Sequence, residues 1–188
     1  MLIASLPEHH VQYLRRVADD AFLYLAGDEY RQPSDFLSRL FGSREELQRP
    51  AGWPAVAACD SVQVDANLGT EPASMHFYLT GQIEPSKGPR DIFRGWVNLD
   101  ATNCERISGR NGYVFVHTPR QVEEMFAALE LLSRPILHQR WREVNGRLGL
   151  PDDPQEFEYI ASCFDALLRV YSGARDKGHY VLWAPREQ

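Results

Sequence analysis

DPQEFEYIASCFDALLRVYSGARDKGHYVLW, residues 153–183, decides the fold. Asp153-Pro154-Gln155-Glu156 starts a helix, with a capping side chain followed by a proline that has no helical N–H to lose. Phe157, Ile160, Ala161, Phe164, Leu167, Leu168 and Tyr171 then recur at spacings of three and four, which puts them on one face. Past Gly173 and Gly178 the period shortens to that of a strand, His179-Tyr180-Val181-Leu182-Trp183. An amphipathic helix that turns back into an apolar strand needs a sheet to receive it. The stretch therefore predicts an α+β domain in which this strand is part of the sheet.

Working outward, Thr118-Pro119-Arg120-Gln121 carries a capping box with proline at the first helical position. Val122, Met125, Phe126, Leu129 and Leu132 follow as a buried stripe. Ser133-Arg134-Pro135 restarts the chain into a helix with Ile136, Leu137, Trp141 and Val144, ending near Gly146 or Gly149. Before these helices, Ser108-Gly109-Arg110-Asn111-Gly112 is a turn that leads into a strand, Tyr113–His117. At the start of the chain, Leu2–Leu6 reads as a strand. Pro7-Glu8 opens a helix carrying Val11, Leu14, Val17, Ala18 and Ala21, which continues near Phe22–Leu25 and stops at Gly27-Asp28.

The middle is less regular. Ser34-Asp35 caps a short helix ended by Gly42, and Glu45–Gln48 reads as one further turn. Arg49–Pro54 is a loop around Trp53, and Thr70-Glu71-Pro72 starts a helix through Met75–Leu79 that stops at Thr80-Gly81. Ile83–Arg94 reads as an exposed loop and Trp96–Leu99 as a strand. With no internal repeat and no long linker, residues 1–188 form a single domain: a mostly antiparallel sheet packed by about five helices, the last followed by a final strand.

Composition bounds the function classes. The chain has 188 residues, 44% hydrophobic and 24% charged, which is globular usage. Its net charge of −6 argues against the basic stripe of a duplex-wide nucleic-acid surface and admits a basic partner. Cys59, Cys104 and Cys163 are odd in number and far apart, so they frame neither disulfides nor a zinc ribbon. No apolar run reaches the ~20 residues of a membrane span, and Met1–Leu6 lacks the basic region of a signal peptide. A cytoplasmic protein without nucleic-acid or membrane partners is expected.

In this order the elements resemble the YfbM-like proteins, a bacterial family of unknown function. Four places carry the resemblance: the opening strand with Leu6-Pro7-Glu8, Met75-His76-Phe77-Tyr78-Leu79-Thr80-Gly81, Val116-His117-Thr118-Pro119-Arg120-Gln121-Val122, and Phe164–Trp183. The family usually places a tryptophan four residues before its histidine, where this chain has Pro72. The resemblance implies an α+β fold and no particular activity.

Candidate chemistry is sparse. His76 ends a predicted helix beside Phe77 and Tyr78, where it could serve as acid or base or bind an anion with Thr80; the favoured reading is a structural histidine that hydrogen-bonds backbone carbonyls. His117 ends a strand before a capped helix, where it could face a crevice, with an ordinary strand-end side chain as the favoured reading. His76, Tyr78, Thr80 and His117 thus form the candidate pocket. His9 and His10 are adjacent on a helix, point about 100° apart and cannot easily share an ion, so both are expected to be exposed. Asp19-Asp20, Glu45-Glu46, Glu123-Glu124 and Asp152-Asp153 are sequence neighbours that do not converge. Trp53, Tyr30 and Trp96 with Asp28 and Glu29 make a candidate interface, because aromatics and charges in loops are the residues that bind partners.

No catalytic motif, metal-ligand set or cofactor fingerprint is present in the sequence. The expectation is a non-catalytic protein-binding module, in one version an immunity-type protein that neutralises a basic toxin. The alternative is a small-molecule or nucleotide-processing enzyme with its pocket near His76, Thr80 and His117. A module that binds a metabolite without turning it over is a third reading.

Overall fold

The strand predicted at the end of residues 153–183 lies in the middle of the sheet. In the computed structural model, which describes residues 2–27, 30–31, 44–47, 49, 62–63, 78, 81 and 104–184, the elements run as follows. β1 (Leu2–Leu6) leads into α1 (Glu8–Arg16), a 3-10 turn (Ala18–Asp20) and α2 (Ala21–Ala26). Three two-residue strands follow, β2 (Tyr30–Arg31), β3 (Glu45–Glu46) and β4 (Val62–Gln63). The hairpin β5 (Glu105–Gly109) and β6 (Gly112–His117) precedes α3 (Pro119–Glu130), α4 (Arg134–Leu148), α5 (Pro154–Lys177) and β7 (Tyr180–Ala184). The main sheet has the order β4-β1-β7-β6-β5, and its pairings are antiparallel. This is the expected α+β class, with five described α-helices and a last helix that feeds a final strand.

Register lines up the side chains in rows. Ile3, Trp183 and Phe115 form one row across β1, β7 and β6, and Ser5, Val181 and His117 form another. Because strand side chains alternate, both rows face the same way. They meet α3, α4 and α5 through Val122, Met125, Leu129, Leu137, Trp141, Ile160, Leu167 and Tyr171. The alternate residues Ala4, Leu6, Val114, Val116, Leu182 and Ala184 face Val11, Leu14, Ala21, Tyr24 and Leu25 of α1 and α2. Helices thus cover both faces, which explains why β6 and β7 read as continuous apolar runs rather than alternating ones. Each fully buried aliphatic side chain here contributes roughly 1.5–3 kcal/mol.

Local chemistry sets the boundaries. Thr118 caps α3 by accepting from the Gln121 backbone N–H, and the Gln121 side chain accepts from the Thr118 N–H at 2.9 Å. Asp153 caps α5 by accepting from the Gln155 N–H at 2.9 Å. Where the sequence predicts one helix from Pro7 to Leu25, the structure breaks it at Val17. The break serves a distant contact: the β5–β6 turn docks on the 3-10 segment. Arg110 N–H donates to Asp19 Oδ1 at 3.1 Å, and Asn111 Nδ2 donates to the Asp19 carbonyl at 2.9 Å. Gly109 permits the approach, since a Cβ there would lie 2.1 Å from the Ala18 carbonyl oxygen. Glu45–Glu46, predicted as a helical turn, instead pairs with Tyr30–Arg31. Of the helix predicted through Met75–Leu79, Tyr78 alone is described, and it is helical. The predicted helix after Ser34-Asp35, the Trp53 loop, the Ile83–Arg94 loop and the Trp96–Leu99 strand lie outside the described residues. Among the described residues, no helix is long and apolar enough to cross a membrane.

Candidate functional site

The strand-end histidine faces the core, not a crevice. His117 closes β6 in the row of Ser5 and Val181, on the side covered by α5, and is 1% exposed. Its Nδ1 lies 2.7 Å from the hydroxyl of Tyr171, which is fully buried on α5. Trp183 on β7 donates its indole N–H to the same hydroxyl at 3.0 Å. The hydroxyl hydrogen also needs an acceptor, and among the described residues Nδ1 is the one within reach, so the imidazole proton is assigned to Nε2. Trp183, Tyr171 and His117 thus form a directed chain of donors through the core. The rings pack as well, with His117 and Trp183 centroids 5.5 Å apart.

Burial fixes the protonation states. Desolvation lowers the His117 pKa to about 3, so the ring is neutral at pH 7. Desolvation also raises Tyr171 well above the phenol range, despite the opposing hydrogen bond from Trp183. Cys104, half-buried and packed against this core, is pushed up to about 11 by desolvation and stays a thiol. Tyr78 belongs to the same core and rises to about 12, first through desolvation and then through the charge of Glu156. Its carbonyl accepts from Arg140 Nη1 of α4 at 2.8 Å, and the same guanidinium lies against Gly81. A general base works best with a pKa near the ambient pH, and a nucleophilic thiol must ionise. These four groups are held far from both conditions.

A second region lies on the outside of α4. A groove of about 690 Å3 is lined by Pro135, His138, Arg142, Glu143, Leu150 and Asp152 among others. Arg142 donates to Asp152 at 2.8 Å across it, and His138 packs edge-on against Phe157 at 4.5 Å. The exposed large apolar side chains among the described residues, Leu131, Ile136, Leu150 and Tyr159, fall in this same helical layer. In the same layer, Trp141 Nε1 and Asn145 Oδ1 are buried without a hydrogen-bond partner among the described residues.

Of the candidate pocket, the structure places Tyr78 and His117 in one core; His76 and Thr80 lie outside the described residues. Of the candidate interface, Tyr30 pairs through its backbone with Glu46, while Asp28, Glu29, Trp53 and Trp96 lie outside the described residues. The paired exposure expected for His9 and His10 holds for His9 only. His10 is 4% exposed, because it shares a helical face with Leu14 and closely follows the buried strand end at Leu6. Sequence reasoning took Tyr171 and Trp183 as apolar filling. The available signal was chemical: a buried phenol and a buried indole each need a polar partner, and His117 supplies it. Among the described residues, no group of three or more His, Cys, Asp or Glu could hold a metal ion. The chain matches no protein-family model, no curated protein and no solved structure.

Proposed function

We propose that the protein is a non-catalytic protein-binding module, in its specific form an immunity-type neutraliser whose acidic surface covers a basic toxin partner. The observation that carries the non-catalytic reading is the set of inert groups in the core. His117 is neutral and committed to Tyr171, while Cys104, Tyr78 and Tyr171 are all held protonated. A pocket enzyme built on His117 needs that imidazole within reach of a substrate, and 1% exposure weighs against it.

Charge supports the partner class. Residues 28–103 hold eleven acidic and seven basic side chains, and so carry four of the six net negative charges. Asp28, Glu29, Tyr30, Trp53 and Trp96 all belong to that stretch. Acid and aromatic side chains together suit a basic surface, with long-range steering from the charge and contact area from the rings. The resemblance to the YfbM-like family is compatible with this reading and adds no activity of its own.

The test is recovery of a partner from cell extract at low salt on the immobilised full chain. The expected result is a stoichiometric basic protein that elutes as salt rises and is held more weakly by an Asp28→Asn/Glu29→Gln/Trp53→Ala variant. Recovery of no partner, or equal retention by the variant, overturns the reading. Turnover of a small substrate that disappears in His117→Gln favours the enzyme instead.

A further inference from the structure

Three imidazoles meet where β1 runs into α1 and α5 runs into β7. Pairing of Ser5 with Val181 and Leu6 with Tyr180 brings the end of β1 beside the start of β7. Pro7 then opens α1, its carbonyl accepting from the His10 N–H at 3.1 Å. On the other side, Gly178 ends α5 and the His179 N–H returns to the Ala174 carbonyl at 2.8 Å. His179 Nδ1 lies 3.2 Å from Ser5 Oγ. His10 is buried in this corner, with its ring centroid 4.1 Å from that of the exposed His9.

The charged groups that act on His10 are His9, next to it on its own helix, and His179 of the α5–β7 corner, which contacts Ser5 of β1. Glu8 lies two positions before His10, and Lys177 and Tyr180 lie within two positions of His179 along the chain. Burial lowers the basicity of His10 most, and the charges that His9 and His179 would carry lower it further. Neutral imidazoles can pack and hydrogen-bond here, but imidazolium ions repel one another and must be rehydrated.

The helix they hold is lightly anchored. α1 buries His10, Val11 and Leu14, whereas α5 buries ten side chains. Its far end is tied separately, by Tyr13 to Tyr24 at 3.1 Å and by Arg15 to Glu105 at 2.7 Å. A short element with few buried contacts opens locally at lower cost than the whole domain.

We propose that this corner is an acid-operated latch, in which proton uptake by His9, His10 and His179 frees the first turns of α1 while the sheet and α3–α5 stay folded. It is independent of the partner-binding reading above. The device converts a modest drop in pH into exposure of the Val11 and Leu14 face and of the α1-covered side of the sheet.

The test is hydrogen exchange of the full chain at pH 7.5 and pH 5.5, corrected for intrinsic rates. Peptides within residues 8–17 are expected to lose at least tenfold protection at the lower pH, while peptides within residues 157–171 of α5 keep theirs. His9→Gln, at an exposed position, and His179→Gln, which keeps a hydrogen-bonding side chain beside Ser5, are together expected to cut that response to less than threefold. Equal protection of α1 at both pH values overturns the latch. So does parallel loss in α1 and α5, or an undiminished response in the double variant.

Discussion

On the α1/α2 face of the sheet the packed cluster is hydrocarbon with the Tyr24 ring, His10 and Asp20 are buried on its helical layer, and the contacts that tie this layer to the β5–β6 hairpin are part-buried or exposed. On the α3–α5 face the polar atoms run through the middle, from Trp183 through Tyr171 to His117. Rim contacts such as Arg15 with Glu105, or Asn111 with Asp19, keep access to water and contribute little each. A buried chain has no such fallback, and removing one member strands the others. Apart from the histidine corner at the start of α1, the first face should therefore respond to changes of shape, and the second to changes of protonation and hydrogen bonding.

The largest expected effect is that of acid on the second face. An unfolded histidine titrates near 6.5 and folded His117 at about 3. Above pH 6.5 neither state binds the proton, so stability is complete. Between 6.5 and 3 the unfolded chain takes it up and the native protein does not, so stability falls with falling pH, by at most about 5 kcal/mol. Urea titrations at pH 7.5, 6, 5 and 4 should show the slope, and His117→Gln should lose most of it. An equal slope in that variant breaks the contrast.

Next is Tyr171→Phe, which removes the hydroxyl that links the indole N–H to the imidazole Nδ1 and so breaks two core hydrogen bonds at once. At ~1–3 kcal/mol for each, the loss should be about 2–5 kcal/mol in a denaturant midpoint experiment. On the other face the corresponding probe is steric. Gly109→Ala sets a methyl against the Ala18 carbonyl and should cost about 1–3 kcal/mol, with no change in the acid slope.

The smallest effect sharpens the comparison from within the α3–α5 layer. Trp141 is as buried as Trp183, but its N–H has no acceptor among the described residues. Trp141→Phe removes an unsatisfied donor along with some packing, so the two contributions oppose each other and the net change should stay within about 1 kcal/mol. Trp183→Phe, measured alongside, should cost clearly more. Equal costs would mean that the hydrogen bond to Tyr171 contributes nothing.

Much of this was legible wherever the determinants are local. The Asp153 cap, the stripe from Phe157 to Tyr171, the Thr118 box and the Arg110-Asn111 turn each occupy a few consecutive residues, and each forms as read. β5 escaped notice because Ile107 alone among its five residues is buried, so Glu105, Arg106 and Ser108 hide the strand period. The break at Val17–Asp20 answers to Asn111, about ninety positions away. Glu45–Glu46 pairs with Tyr30–Arg31 through backbone bonds that no propensity announces. His117 is legible in the sequence as a candidate pocket residue at a strand end. Its partner lies 54 positions further on, and only the sheet register and the α5 crossover turn that candidate site into a closed chain.

The central claim is that His117 is a neutral, water-excluded member of the core. Nitrogen NMR of the histidine rings across a pH titration of the native protein tests it most directly. The account predicts a neutral Nε2–H imidazole for His117 from pH 8 down to the onset of acid unfolding, with Nδ1 accepting a hydrogen bond throughout. A midpoint near 6.5 in the folded protein would contradict it.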